Sequence, residues 1–150
     1  MPQSLAKNYL HLVFSTKNRK PLILPTVRSD LHSYIGGILR DLESPALLMN
    51  SVTDHIHILF CLSKNHALKT IVEEVKKSSS KWIKIKGSDF KEFYWQSGYG
   101  AFSVSQSGIP SVKRYIECQE LHHRTMGFQD EFRTFLRKYE IEFDERYVWD

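Results

Sequence analysis

The hydrophobic residues of this chain repeat with two different periods, and the order of those periods restricts the fold. Short runs rich in aliphatic and aromatic residues, typical of strands, cover residues 8–15, 46–52, 55–62 and 93–105. Stretches with apolar residues three and four apart, typical of helices, separate the first run from the second and the third from the fourth. This order predicts an α+β fold: a ferredoxin-like split βαβ sandwich, an antiparallel sheet with helices on one face.

Proline and threonine mark the predicted ends of the first helix. Thr26 is a favourable N-cap, and Pro45 stops the helix before the second strand. The second helix covers about residues 66–86. Two C-terminal helices, over about residues 109–125 and 128–139, follow the fourth strand. They require a docking surface, either on the same sheet or on a second subunit.

Length and composition are those of an ordinary globular protein. The 150 residues fit one domain, residues 1–150, with 41% hydrophobic and 25% charged residues. No apolar run approaches the roughly 18–20 residues of a membrane-spanning helix, and the first four residues lack the features of a signal peptide. The two cysteines, Cys61 and Cys118, fit reduced, buried thiols. We therefore expect a cytoplasmic protein that does not bind a membrane.

Positive charge is concentrated in two short regions. The net charge of +4 permits a polyanionic partner without requiring one. The predicted nucleic-acid contacts are Lys17, Arg19, Lys20, Lys76, Lys77, Lys81 and Lys84. The alternative is that these residues form two solvated surfaces that bind no ligand.

Two histidines in the third predicted strand are candidate metal ligands. Because side chains alternate along a strand, His55 and His57 point to one face, about 7 Å apart. Ile56 and Ile58 point to the other face and anchor the strand in the core. Two imidazoles at that separation can converge on one ion, but a site needs a third ligand. Taken alone, a His-x-His pattern is more often a pair of partly buried polar residues.

Tyr115 and Gln119 are the candidate nucleophile and the candidate third ligand. Residues four apart lie on one face of a helix, about 6 Å apart. Tyrosine is a poor nucleophile near neutral pH because its pKa is about 10, so its attack on a phosphodiester needs a cation at the phosphate. Two imidazoles, an amide oxygen and phosphate oxygens suit Mg²⁺ or Mn²⁺. Without further support, Tyr115 is more readily explained as a packing residue.

Three segments together resemble the single-tyrosine HUH transposases of small bacterial insertion sequences. They are His55-Ile56-His57, the segment WQSGYGAFSVS at residues 95–105, and the segment YIECQELHH at residues 115–123. The His-hydrophobic-His element is shared with relaxases and rolling-circle replication initiators. The Tyr-x-x-x-Gln helix after the Trp-Gln-x-Gly-Tyr-Gly strand is much more specific. The resemblance covers nearly the whole chain.

The resemblance implies an activity and a role for each candidate residue. Members of this family cleave and rejoin single-stranded DNA at hairpin ends of a mobile element. Tyr115 would attack the phosphate, keep a 5′-phosphotyrosine link and release a 3′-hydroxyl. The metal that polarises the scissile phosphate would be held by His55, His57 and Gln119. Similar proteins are homodimers whose sheets join, and the tyrosine helix of one subunit completes the histidine pair of the other.

Two other functions stay open on the residues alone. A non-catalytic nucleic-acid-binding protein with a ferredoxin-like sheet would stack bases on aromatic side chains. The candidates are Tyr94, Trp95, Tyr99 and Phe102, although core packing is favoured for most of them. A zinc hydrolase would need a third protein ligand, for which His11 and His66 show no recognisable spacing.

Three more polar residues near these motifs have simpler interpretations. His122 and His123 follow the tyrosine by two turns, where a role at the helix end, near the carbonyl dipole, is favoured over proton transfer. Asp54 is expected to cap the hairpin turn between the second and third strands.

Overall fold

A computed structural model of the protein describes residues 2–123 and 125–150, apart from the side chain of His122. The strands are β1 (Tyr9–Ser15), β2 (Ala46–Ser51), β3 (His55–Cys61) and β4 (Gly100–Val104). The helices are α1 (Pro25–Asp41), α2 (Leu68–Lys84), α3 (Ile109–Glu117), α4 (Gln119–His122) and α5 (Phe128–Lys138). The order β1-α1-β2-β3-α2-β4 confirms the predicted ferredoxin-like arrangement with C-terminal helices. Within the described residues, none of the helices combines the length and the apolar character that crossing a membrane requires.

The strands form one antiparallel sheet in the order β2-β3-β1-β4. The two central strands, β1 and β3, pair along their whole length, from Tyr9 opposite Cys61 to Ser15 opposite His55. Because a central strand is hydrogen-bonded on both sides and covered on both faces, its side chains are held firmly. The candidate histidines therefore lie on one of the two best-supported strands.

One face of the sheet packs on α1 and α2. As predicted, Ile56 and Ile58 of β3 are fully buried in this first core. The helices contribute Val27, Leu31, Ile35 and Leu39 from α1, and Ile71, Val72, Val75 and Ile83 from α2. Trp95 belongs to the same core, with its ring 4.8 Å from both Phe14 and Phe93. This core fixes β3 from behind and leaves its histidines on the opposite face.

The opposite face of the sheet is covered by α3 and α5. The buried residues of this second core are Val13, Phe102, Phe128, Phe132 and Leu136, with Trp149 partly buried beside them. A smaller group under α3 consists of Leu59, Ile109 and Ile116. The C-terminal helices thus dock on the sheet of their own chain, which is one of the two possibilities that the sequence left open. The histidine face of β3 is enclosed between the sheet and these helices.

The fourth strand is shorter than the predicted range 93–105. β4 covers five residues of that range, and Trp95 meets Thr16 only through an isolated bridge. The N–H of Ser15 donates to the side-chain Oε1 of Gln96 at 2.7 Å instead of to a backbone carbonyl. Backbone hydrogen bonds continue this pairing briefly, since the N–H of Gln96 donates to the carbonyl of Ser15 at 2.9 Å and the N–H of Lys17 to that of Tyr94 at 2.7 Å. Residues 96–99 belong to no strand and separate this short pairing from β4.

One predicted helix start is wrong, and one predicted helix is divided into two. α1 begins at Pro25 with Leu24 as its N-cap residue and without a side-chain cap, so Thr26 lies inside the first turn. The fixed φ of proline suits that first turn. The helix predicted over 109–125 is divided at Cys118, whose φ of −95° and ψ of 21° separate α3 from α4. Its predicted end includes Arg124, which lies outside the described residues. The predicted burial of the cysteines is also wrong, since Cys61 is partly exposed and Cys118 is exposed.

Gly100 gives a test of the packing between β4 and α5. A Cβ added there would lie 2.6 Å from Cε2 of the buried Phe132 and 3.0 Å from Cζ of Phe102. Gly100→Ala should therefore destabilise the fold by about 1–3 kcal/mol, measured by urea unfolding. The control is Gly36→Ala in α1, where the nearest atom is Cε of Met49 at 3.8 Å and replacing a helical glycine should stabilise by about 0.5–1 kcal/mol. Equal unfolding midpoints for the two variants would contradict this account.

Candidate metal and tyrosine site

β3 presents both candidate histidines to the face covered by α3 and α5. The side chains of His55 and His57 are completely buried, and their ring centroids lie 5.2 Å apart. Their common orientation follows from the alternation of side chains along the strand. The two rings therefore share one enclosed space between the sheet and the C-terminal helices.

The Nδ1 atom of each imidazole is held by a neighbouring polar side chain. Nδ1 of His55 lies 2.7 Å from Oδ1 of Asp54, and Nδ1 of His57 lies 2.7 Å from Nε2 of His11 on β1. The carboxylate of Asp54 thus binds the imidazole next to it, a contact that its predicted role as a turn cap did not include. Such contacts fix the orientation of a histidine ring and leave the other nitrogen available as a ligand.

Glu131 of α5 is the group on which the free Nε2 atoms converge. Its Oε1 lies 2.9 Å from Nε2 of His57 and 3.5 Å from Nε2 of His55. Its Oε2 lies 3.3 Å from Nε2 of His123. Only 2% of the Glu131 residue is exposed. A buried carboxylate between three imidazoles joins the C-terminal helix to the histidine strand.

His123 and Gln119 form the other wall of the cluster. Nε2 of His123 lies 3.0 Å from Nε2 of His55 and 3.0 Å from Oε1 of Gln119. His123 is the C-cap residue of α4, at the helix end where it was predicted, and its side chain also belongs to the cluster. The side-chain amide of Gln119 also donates to the backbone carbonyl of Tyr115 at 3.2 Å. In the described contacts, Gln119 meets the histidine pair through His123.

Tyr115 brings a hydroxyl to the same carboxylate. Its O–H donates a hydrogen bond to Oε2 of Glu131, and its ring centroid lies 5.9 Å from that of His57. Burial and the nearby Glu131 carboxylate raise the pKa of the phenol well above its usual value. The phenol is therefore protonated at neutral pH, and a cation in the cluster would favour its ionisation.

The carboxylate at the centre of the cluster is ionised. Burial by itself raises the pKa of Glu131, but hydrogen bonds from the three imidazoles outweigh it and lower the pKa far below its usual range. Burial opposes the charged form of His55, but its hydrogen bonds to Asp54 and Glu131 outweigh that effect and raise its pKa. The pocket thus carries a fixed negative charge where the ring nitrogens meet.

The other two imidazoles of the central strands are neutral. Burial lowers the pKa of His57 to about 4, despite its hydrogen bond to Glu131. Burial and then the neighbouring His57 lower the pKa of His11 to about 3. A neutral imidazole retains the lone pair that a metal ion requires. His57 therefore has the charge of a ligand at neutral pH, and binding a metal ion through Nε2 would place its proton on Nδ1, which faces His11.

The chemistry of this donor set fits a divalent metal ion. The group consists of His55, His57, His123 and Glu131, and one ligand atom from each lies within 4.8 Å of the others. The first two were predicted, whereas Gln119 lies beside the group at His123. Three nitrogen donors suit Mn²⁺ or Zn²⁺ better than Mg²⁺, which binds mainly oxygen.

The predicted DNA-binding lysine Lys76 has its amino group occupied within the fold. Its Nζ donates to the carbonyl oxygens of Gln96, Ser97 and Gly98 at 2.9, 3.2 and 2.6 Å. Burial lowers the pKa of Lys76 to about 8. This lysine fixes the loop before β4, and any role in DNA binding stays a prediction.

Residues from both of the predicted basic regions lie beside Tyr94. Lys17 and Lys20 line a cavity of about 230 Å³ with Tyr94, and Nζ of Lys84 lies 4.0 Å from the centre of the Tyr94 ring. The other predicted contacts lie elsewhere: Arg19 beside Trp149, Lys77 paired with Glu74, and Lys81 exposed on α2. The predicted basic residues therefore do not form a single cluster.

The aromatic residues considered for base stacking divide into two pairs. Trp95 and Phe102 are buried, with 8% and 1% exposed, which confirms core packing for them. Tyr94 and Tyr99 are 51% and 36% exposed. Only the second pair is accessible to a base.

Three residues of the site were missed by sequence analysis, and each left a weak signal. Glu131 is a carboxylate on the apolar face of α5, three residues after Phe128 and next to Phe132. His123 continues the four-residue spacing of Tyr115 and Gln119. His11, considered only as a possible zinc ligand, points to the same face of the sheet as the histidine pair. Two sequence patterns therefore indicate such a site: a polar residue on the apolar face of a helix, and a polar residue that continues the spacing of a known motif.

Comparison with known proteins gives a family match over most of the chain. The family model described as "Transposase IS200 like" matches residues 4–119. The ISDra2 transposase TnpA of Deinococcus radiodurans is 23% identical over 114 residues, which cover 73% of this chain and 81% of that protein. The family match ends before α5, so it includes Tyr115 and the histidine pair and excludes Glu131.

Solved structures show the same fold. A candidate transposase from Deinococcus radiodurans R1 superposes with a TM-score of 0.61 at 20% identity, over 79% of this chain and 98% of that one. A REP-associated tyrosine transposase, solved bound to a REP hairpin, superposes with a TM-score of 0.62 at 17% identity, over 82% of this chain and 73% of that one. At these identities the likeness establishes the architecture.

Substitution of Glu131 tests whether the cluster holds a metal ion. Glu131→Gln keeps the size of the side chain and removes its charge, so the Kd for Mn²⁺, measured by calorimetry, should rise about tenfold or more, since even a residue that only supports a ligand contributes about 10- to 100-fold. The control is Asp130→Asn, the neighbouring exposed carboxylate, which pairs with Arg133. The same Kd for Glu131→Gln and the unsubstituted chain would exclude Glu131 as a ligand.

Proposed function

Because this chain belongs to the IS200-like transposase family, we propose that it cleaves and rejoins single-stranded DNA at insertion-sequence ends, with Tyr115 as the nucleophile. The observation that carries the proposal is the hydrogen bond from the Tyr115 hydroxyl to Glu131, the carboxylate that also binds His57. This contact brings the phenol to the cluster that fits a metal ion. A phosphate bound at the cluster would meet both groups at once.

The partner that fits this activity is a DNA hairpin. The REP-associated relative was solved bound to a REP hairpin, and we extend that class of ligand to this chain. The predicted contacts Lys17, Lys20 and Lys84, together with the exposed ring of Tyr94, offer cations and a stacking surface on the outside of the fold. The hairpin would lie there while an unpaired strand reaches the enclosed cluster.

The proposed cleavage step exchanges one ester for another. The phenol oxygen of Tyr115 forms a bond to phosphorus, the bond from phosphorus to the 3′-oxygen breaks, and the phenol gives its proton to water. The released 3′-oxygen takes up a proton from water. The product is a 5′-phosphotyrosine and a free 3′-hydroxyl, and attack by a 3′-hydroxyl reverses the step and reseals the strand. Because each step replaces one phosphodiester with another, the reaction needs no ATP.

The chain's own side chains position this reaction. Glu131 orients the phenol oxygen through its hydrogen bond, while Asp54 and His11 hold the two imidazoles with their Nε2 atoms toward it. The metal ligands would be the predicted residues His55, His57 and Gln119. His123 and Glu131, which the structure brings to the same cluster, would join them. A bound Mg²⁺ or Mn²⁺ would polarise the scissile phosphate. The enclosure of the cluster restricts water, which would otherwise compete for the phosphotyrosine.

The zinc hydrolase alternative gains one ligand from the structure. His123 supplies the third imidazole that the sequence did not reveal. This alternative gives no role to the hydroxyl of Tyr115, which faces the same carboxylate. DNA cleavage with Mn²⁺ or Mg²⁺ but not with Zn²⁺ would exclude it.

A covalent DNA adduct is the direct test of the nucleophile. Incubation with single-stranded element ends and Mn²⁺ should yield protein-linked DNA, seen as a shifted band in a denaturing gel. Tyr115→Phe deletes only the hydroxyl, so adduct should fall below detection while binding of the hairpin changes less than about twofold, since the lost group contacts Glu131 inside the fold. The control is Tyr34→Phe, at a tyrosine of α1 stacked on Trp82. Adduct from Tyr115→Phe would place the nucleophile elsewhere.

The resemblance also predicts a homodimer with shared active sites, and we retain that proposal. A helix exchanged between identical subunits makes the same contacts as one that stays, so the contact of Tyr115 with Glu131 agrees with either arrangement. Mixing a Tyr115→Phe chain with a His55→Ala/His57→Ala chain distinguishes them. If sites are shared, an equal mixture should form about one quarter of the adduct of the unsubstituted protein. Half of the dimers are then mixed, and one of the two sites in each combines the intact tyrosine of one chain with the intact histidines of the other. No restoration would mean that each site is built within one chain.

A further inference from the structure

A cavity of about 400 Å³ opens beside Tyr115, between α3 and α5. It lies next to the histidine cluster and shares Tyr115 and Glu131 with it. Its apolar walls include Val112 of α3, Met126 before α5 and Phe135 of α5. The volume is within the range of pockets that bind small organic ligands, about 300–1,000 Å³. The cavity is therefore large enough for a nucleoside and begins at the proposed nucleophile.

We infer that this cavity binds the nucleoside on the 3′ side of the scissile phosphate, an assignment that rests on the proposed function. In a displacement at phosphorus, the attacking and leaving oxygens lie roughly in line on opposite sides. Tyr115 lines the cavity, so the cavity lies on the attacking side. The leaving 3′-oxygen, with the nucleoside on the 5′ side of the scissile phosphate, lies on the side of phosphorus away from Tyr115. The nucleoside on the 3′ side stays joined to phosphorus through its 5′-oxygen, and it can enter the cavity.

The walls of the cavity match the chemistry of a nucleoside followed by a phosphate. The ring of Phe135 stacks on that of Phe102 at 5.1 Å and lies 5.5 Å from the ring of Tyr115, so one wall is fixed by packing. A fixed aromatic wall gives a base a surface without an ordering cost. Lys138 also lines the cavity and is exposed, and its cation suits the next phosphate of the strand.

Thr134 allows the cavity to be filled without changing the cluster. It is exposed, lines the cavity from α5, and its hydroxyl bonds only to the carbonyl of Asp130 among the contacts described. Thr134→Trp should place an indole where the base would lie. The probes are thymidine 5′-monophosphate, which presents a nucleoside behind a 5′-phosphate, and thymidine 3′-monophosphate, which presents it on the other side. Affinities are measured by calorimetry with Mn²⁺ present.

Thr134→Trp should weaken binding of the 5′-monophosphate about tenfold or more, the order of loss when a base stack is removed. Binding of the 3′-monophosphate should stay within about twofold. Gln129→Trp, which adds the same indole to α5 outside the cavity, is the matched control and should leave both affinities unchanged. Met126→Trp, which fills the cavity from the other wall, repeats the test if Thr134→Trp does not fold. An equal loss for both nucleotides, no loss for either, or no binding of the 5′-monophosphate by the unsubstituted chain would overturn the assignment.

The outcome separates this assignment from the proposed function. If the unsubstituted chain forms the Tyr115 adduct but Thr134→Trp leaves binding of the 5′-monophosphate unchanged, the nucleoside site alone is overturned. If no adduct forms while the selective loss is observed, the cleavage chemistry is overturned and the cavity stands as a nucleotide-binding site.

Discussion

The buried carboxylate of Glu131 is the contact on which the site depends. Removing an ionised carboxylate from water is costly unless hydrogen bonds and opposite charge compensate for it. Here the compensation comes from three imidazoles and a phenol that belong to β3, to α3 and to the segment after α4. One side chain thus ties the C-terminal helix to the central strand and to the tyrosine. The same negative charge makes the enclosed space attractive to a cation.

The division of the sheet into two faces explains why the cluster can be both polar and rigid. The face toward α1 and α2 holds the larger apolar core, and it fixes β3 through Ile56, Ile58 and Phe60. The other face then carries His55 and His57, and α5 closes over them with Phe128, whose ring centroid lies 4.7 Å from that of His55. Apolar packing surrounds the polar groups and keeps their hydrogen bonds out of competition with water.

The parts of this arrangement that follow from local periodicity could be predicted from the sequence. Strand alternation placed His55 and His57 on one face, and the order of strands and helices gave the sheet. Contacts between distant segments could not be predicted in this way: Glu131 is 74 residues from His57 and His11 is 46 residues from it. Nothing in their own neighbourhoods specifies that partner. The break in the fourth predicted strand also depends on contacts between distant segments. The side chain of Gln96 accepts a hydrogen bond from the N–H of Ser15, and the amino group of Lys76 on α2 binds the carbonyl oxygens of residues 96–98.

The positions of two tryptophans have a practical consequence for following the fold in solution. Trp95 lies between Phe14 and Phe93 in the core between the sheet and helices α1 and α2. The ring centroid of Trp149 lies 6.0 Å from that of Phe132, on the helix that carries Glu131. Intrinsic fluorescence therefore has reporters on both sides of the sheet, since the third tryptophan, Trp82 of α2, packs on the same core as Trp95. The emission lost on replacing Trp149 with phenylalanine would show whether the C-terminal layer loosens before the rest of the molecule melts.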